Sequence, residues 1–274
     1  MRKNSGKDST MLRLCVAGAT GKMGSTVLRE AAVRSFQIVG AVEVEGHSNI
    51  GKSLRQLGIC DSETRVTGSN ELSSAVKDAD VYITFTTPAA ELVNLPTVAA
   101  LGKRIVMGTT GFTEEQMRRL KTMVEGKVPA VFSPNFSLGV NVLFKIVHAL
   151  RGFPAEYDIS IYEIHHTGKK DAPSGTAKKL EEIVSNIRGY TKTVHGREGI
   201  SPRLPGELEV AALRLGGVPG IHDVIVAGPY ELLRIEHTAF SRSVFAQGAL
   251  YAAEWISTQQ EARIFNMEDV LTIA

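Results

Sequence analysis

The stretch from Glu163 to Ala177, EIHHTGKKDAPSGTA, brings imidazoles, amines, carboxylates, hydroxyls and a glycine turn into fifteen residues. That mixture suits a site that holds a small dianion and moves a proton onto it. Pro173-Ser174-Gly175-Thr176 reads as a turn into a helix, with Ser174 or Thr176 as N-cap. A helix start presents free backbone N–H groups to a carboxylate or phosphate. Each of these features alone is ordinary: paired histidines at a strand end, a solvated Lys169-Lys170 pair, a Ser-Gly-Thr cap. Their convergence beside an anion-binding helix start points to a site.

The elements that must carry this loop follow from periodicity. Tyr157 to Ile164 alternates as a strand, so the chemistry sits on the loop that follows it. Upstream, apolar runs at Leu12–Ala17, Gln37–Glu43, Asp80–Thr86, Arg104–Met107 and Val128–Phe132 alternate with helical patterns at Gly24–Arg34, Ala89–Gly102 and Thr113–Gly126. Thr113 with Gln116 three residues on is a capping box. Alternation with apolar strands predicts an α/β fold, a Rossmann-type doubly wound parallel sheet. The second half differs. A helix at Leu138–Leu150 is followed by strand patterns at Leu208–Leu215, His222–Ala227 and Glu231–Thr238, an α+β pattern with an antiparallel or mixed sheet. Arg197–Gly206, rich in Gly, Pro and charge, is expected to be a mobile loop, and Ser243–Gln260 a helix returning to the first domain. The expected organisation is a disordered extension over 1–10, a dinucleotide-binding domain over 11–137 and 241–274, and a substrate-binding domain over 138–240.

Gly18, Gly21 and Gly24 follow the first strand and open the first helix, the context of a dinucleotide-binding turn. The spacing is G-x-x-G-x-x-G, a variant of the commoner fingerprint. Gly18 makes the tight turn, Gly21 lets backbone approach a pyrophosphate, and Gly24 lets the helix pack. Glu43 ends the second strand where a carboxylate bonds an adenine ribose diol. With Val44 rather than a basic residue next to it, NADH is favoured; Lys22 could reach a 2′-phosphate, so NADPH stays open. Gly108-Thr-Thr-Gly-Phe112 and Ser133-Pro-Asn-Phe136 also follow strands, where ligands of a doubly wound sheet bind.

Composition narrows the field. The chain has 274 residues, 43% hydrophobic and 22% charged, with a net charge of +2, ordinary values for a globular protein. Nothing argues for nucleic acid or an anionic membrane surface. No run is apolar enough for a membrane span, and Met1–Thr10 lacks the apolar stretch of a secretory signal. Cys15 and Cys60 are too few for a disulfide framework, and Cys15 reads as a core residue. A cytosolic enzyme fits best, with plastid targeting of a longer precursor left open. Adjacent histidines on a strand point to opposite faces, which argues against a metal site built on His165, His166 and Asp171.

Taken in order, these motifs resemble the dihydrodipicolinate reductase family of the diaminopimelate–lysine pathway, from about Leu12 to Ile256, most specifically over Glu163 to Ala177. Supporting matches are Val16–Gly24, Gly108–Phe112, Asn135–Asn141 and Phe245–Gly248. The resemblance implies a Rossmann domain, a substrate domain whose sheet builds a homotetramer, and hydride transfer from NADH or NADPH to a cyclic dicarboxylate imine. By the same resemblance His165 is the proton donor and acceptor and Lys169 the second proton donor. His166, Gly175 and Thr176 take substrate-binding positions, and Ser174, in the same loop, is counted with them. Gly18, Ala19, Thr20, Gly21, Lys22, Met23, Glu43, Gly108, Thr109, Thr110, Ser133, Pro134, Asn135 and Phe136 take the cofactor positions. The chain departs from members that use NADPH well at Val44 and Thr87, where they can carry arginine, and at Thr167-Gly168, where some carry bulkier basic residues. A site between two domains implies closure on ligand binding. A dehydrogenase of another imino acid and a non-catalytic dinucleotide sensor are the competing readings.

Overall fold

The computed structural model describes residues 11–34 and 36–272; the expected disordered extension, 1–10, lies outside them. The chain divides into two units, one running to Pro134 and resuming over Ala246–Val270, the other spanning Asn135–Phe245 with the residues from Leu271. The first half contains β1 (Arg13–Ala17), α1 (Lys22–Val33), β2 (Gln37–Glu43), β3 (Val66–Gly68), α2 (Leu72–Ala75), β4 (Val81–Thr84), α3 (Pro88–Ala100), β5 (Arg104–Met107), α4 (Glu114–Val124) and β6 (Ala130–Phe132). Next come α5 (Leu138–His148), β7 (Asp158–His165), α6 (Gly175–Arg188), β8 (Lys192–Val194), β9 (Glu207–Arg214), β10 (Gly220–Ala227) and β11 (Leu232–Ala239). The chain ends with α7 (Ser243–Ser257), β12 (Ile264–Phe265) and α8 (Met267–Leu271).

In the first unit seven parallel strands lie in the order β12-β6-β5-β4-β1-β2-β3. Strands buried on both faces read as unbroken apolar runs, and Leu14 to Ala17 are all buried. The order reverses between β1 and β4, so the loops leaving their carboxyl ends diverge at a topological switch point. Cys15, Tyr82, Leu95, Ile105, Met107 and Leu120 belong to the core on one face. Burial pushes the Cys15 thiol up to about 12, so it is a packing residue, as its apolar surroundings suggest. The capping box on α4 is formed in full: Thr113 accepts from the Gln116 N–H, and Gln116 from the Thr113 N–H.

The second unit is a mixed sheet, β11-β10-β7-β9-β8, with β7 antiparallel to β10 and parallel to β9. Alternation along β7 sends Ile159 and Ile161 into a core with Leu143, Val147, Leu180, Val184, Val210 and Val224, which lies under α5 and α6. Tyr162, Asp223, Arg234 and Glu236 occupy the opposite face, where Arg234 bonds the other three. Short elements such as β3, β8 and β12 carry no pattern of their own in the sequence. The loop expected to be mobile is tied down by its own arginines. Arg197 pairs with Glu207 and Glu209 at 2.9 and 3.0 Å, and Arg203 pairs with Asp158 at 2.9 Å and donates to the Ile159 carbonyl at 2.9 Å. No helix among the described residues is long and apolar enough to cross a membrane.

Candidate active site

Strand β7 ends at His165, and because side chains two residues apart share a sheet face, Glu163 and His165 both point toward the helices. Glu163 is fully buried and His165 nearly so. The Glu163 carboxylate accepts from Nδ1 of His165, from the Ser174 backbone N–H at 3.0 Å and from the Arg214 guanidinium at 3.1 Å. Ser174, not Thr176, caps α6: its Oγ accepts from the Ala177 N–H and lies 3.0 Å from Nε2 of His222. No acidic residue occupies the first turn of α6, so the amides around Gly175 and Thr176 keep their affinity for an anion. Thr176 accepts from Nδ2 of Asn135 at 3.0 Å. His166 is half-buried on the loop beyond β7, and the Lys169 ammonium meets Asp171 at 2.9 Å.

Burial dominates the electrostatics. It lowers the pKa of His165; Glu163 opposes this, while Lys169 and Arg214 add to it. His222 falls to about 3, chiefly by burial and further by the nearby His165, His237 and Lys169. The rings of His165 and His222 meet edge to face with centroids 5.1 Å apart. The Lys169 ammonium in turn holds the Asp171 carboxyl below its ordinary range. Burial thus favours the neutral form of the His165 imidazole, and an anion bound nearby would raise its affinity for a proton.

In the first unit the turn after β1 makes a cradle. The N–H groups of Gly18 and Ala19 bond the Val42 carbonyl at 2.9 and 3.2 Å, and Gly18 has φ +69°. A Cβ on Gly24 would lie 2.0 Å from the Gly18 carbonyl oxygen, so only glycine lets α1 start this close to β1. No side chain caps α1, which begins after Gly21 with Lys22 and Met23 and has no acid in its first turn. These features fit a pyrophosphate. Glu43 accepts from both the N–H and the hydroxyl of Thr20 at 2.8 Å, which ties the end of β2 to the turn. At the ends of β4 and β5, Thr109 accepts from the Thr86 N–H and donates to buried Glu91, whose same oxygen accepts from Thr84 and Thr86. Gly108 precedes this knot and Thr110 follows it, exposed. The Ser133 N–H donates to the Met107 carbonyl, with Pro134 exposed after it; Asn135 and Phe136 open the second unit, Phe136 buried.

Local patterns could not reveal Arg214, His222, His237 or Glu91 as site neighbours. Sheet register places His222 opposite both Glu163 and His237. His237 lies 3.1 Å from Ser137, the N-cap of α5, repeating the pairing of His222 with Ser174.

A doubly wound sheet with a glycine cradle and a unit that carries a buried Glu–His–Arg cluster fit the class of pyridine-nucleotide-dependent reductases. Family models described as dihydrodipicolinate reductase, N-terminus and C-terminus, match residues 12–136 and 139–271. The 4-hydroxy-tetrahydrodipicolinate reductase of Methanosarcina acetivorans is 41% identical over 266 residues, 95% of this chain and 99% of that protein. That of Archaeoglobus fulgidus is 40% identical over 267 residues, 95% and 100% of the two chains. The chain belongs to the dihydrodipicolinate reductase family. The solved structure of dipicolinate-bound dihydrodipicolinate reductase from Paenisporosarcina sp. TG-14 shares its fold, with TM-score 0.71 at 24% identity over 93% of this chain and 97% of that one.

Proposed function

We propose that this chain reduces 4-hydroxy-tetrahydrodipicolinate to tetrahydrodipicolinate with a nicotinamide dinucleotide, in the cytosol, as its relatives' names indicate for the reaction. The observation that carries the site assignment is the meeting of His165, Arg214 and the α6 start around the buried carboxylate of Glu163. The reaction takes up a hydride and a proton and releases water; the bound reduced nicotinamide supplies the hydride. Residues Gly18 to Met23, with Glu43, would hold the adenosine and pyrophosphate end. Gly108 to Thr110, Ser133 and Pro134, on the loops after β5 and β6, would hold the nicotinamide end.

On the substrate side, backbone amides of Gly175 and Thr176 bind one carboxylate, and Lys169 with His166 offsets the other. Ser174 is engaged through its N–H with Glu163 and through its hydroxyl with His222, so it acts by holding those groups in place. Fixing both carboxylates orients the ring, from which much of the rate enhancement derives. Nε2 of His165 delivers the proton, with Lys169 as the second donor.

Glu43 followed by exposed Val44 supports a preference for NADH, because a 2′-phosphate meets a carboxylate with an apolar residue rather than an arginine next to it. The open sheet face with Tyr162, Asp223, Arg234 and Glu236 supports a homotetramer built through that sheet. The test is oxidation of NADH and of NADPH with substrate made in situ from pyruvate and aspartate semialdehyde by the preceding synthase. Synthase-dependent oxidation, faster or tighter with NADH, supports the reading; tight NADH binding without oxidation moves it to another imine or to a sensor.

A further inference from the structure

We infer that Glu163 is the positioning residue of the proton-transfer step and that Arg214 holds it in that role. The inference rests on the assignment of His165 as proton carrier. The groups that contact the Glu163 carboxylate are N–H donors: the His165 ring, the Ser174 backbone and both terminal nitrogens of Arg214. Nδ1 of His165 is therefore the nitrogen that carries hydrogen. Nε2 is left to take up or release a proton. Beside it stands Gly220, where a Cβ would come within 3.1 Å of Nε2, so glycine keeps that edge of the ring open.

Arg214 makes this more than one hydrogen bond. It is the register partner of His165 across β7 and β9, and its guanidinium spans the Glu163 carboxylate and the Asp171 carbonyl at 2.6 Å. One buried carboxylate thus joins the imidazole, the start of α6 and the loop that carries Lys169. A buried Glu–Arg pair adds little net stability over an apolar pair of the same shape, so stability alone does not account for it. Orientation does: the ring, the anion-binding amides and the basic loop are referred to one fixed charge. When Nε2 takes up a proton, the same carboxylate faces the imidazolium and stabilises it.

The test is a double-mutant cycle of Glu163→Gln and His165→Asn, assayed with synthase-generated substrate, with ring nitrogen NMR of the same proteins. The Glu163→Gln substitution keeps an oxygen for the Nδ1–H and removes the charge. It is expected to lower kcat about 10- to 100-fold with substrate KM within about threefold, and to move the falling limb of the pH profile about one unit to the acid side. On the His165→Asn background it is expected to cost less than about twofold, since a group acting through His165 has nothing left to act on. NMR is expected to show the Nδ1–H form of His165 in the wild type and a mixture in Glu163→Gln. Full additivity in the cycle, or an unchanged tautomer and pH profile, overturns the inference. If His165→Asn keeps full kcat, the acid assignment fails, and the tautomer measurement still decides whether Glu163 governs the ring. Should Glu163→Gln not fold, Arg214→Lys tests the same link from β9: a shifted tautomer supports it and an unchanged one overturns it.

Discussion

Ser174 and His222 are 48 residues apart and meet at 3.0 Å, hydroxyl oxygen to Nε2, on the serine that also caps α6. One side chain thereby fixes both the helix start and a buried histidine. Ser174→Ala removes the cap and leaves Nε2 without its partner. Loss of the cap costs about 1 kcal/mol, and the orphaned ring nitrogen adds about 1–3 kcal/mol. Thermal unfolding is expected to occur at lower temperature and substrate KM to rise, with NADH affinity unchanged. Calorimetry and nucleotide titration check this.

Acid should unfold this protein through its buried histidines. His222 is lowered to about 3 in the folded state, and His165 and His237 are lowered too. The unfolded chain binds protons at these sites near pH 6.5 while the folded one does not, so stability is present above that pH and is lost as pH falls through the window down to the folded values. The slope reaches about 1.4 kcal/mol per pH unit for each such histidine. Chemical denaturation at pH 7.5 and pH 5 should show the loss, and His222→Gln should reduce it. Equal midpoints at the two pH values contradict the reading.

The sequence made the two halves legible wherever a pattern was local. The glycine turn after β1, the capping box on α4 and the alternation of β7 each sit within a few residues, and the structure forms all three. What stayed hidden depends on register between distant strands. Arg214 is 51 residues from Glu163, and the row Glu163–His222–His237 exists only because β7, β10 and β11 pair as they do. Arg197–Gly206 has the composition of a loose loop, yet its arginines find acids on β7 and β9. Composition cannot foresee such pairings.

The cradle after β1 tolerates no side chain at Gly24. A methyl group there would meet the Gly18 carbonyl at 2.0 Å, forcing α1 away from the turn. Gly24→Ala is expected to weaken NADH binding about tenfold or more, an effect of about 1.4 kcal/mol. Fluorescence titration of the nucleotide measures it, and unaltered affinity would count against the cradle as the pyrophosphate site.

Cofactor choice is testable at an exposed position. Val44 is 64% exposed, so Val44→Arg leaves the fold alone and adds a cation beside Glu43, the proposed partner of the ribose. The variant is expected to raise kcat/KM for NADPH about tenfold relative to NADH, since an arginine pairs well with a phosphate. An unchanged ratio removes Glu43 and Val44 from the specificity argument.

The most direct measurement is kcat of His165→Asn with synthase-generated substrate, alongside its NADH affinity by fluorescence. The account predicts a fall of about 100-fold or more in kcat, as for loss of a general acid, with NADH bound as tightly as in the wild type. Full kcat with the wild-type pH dependence would contradict it.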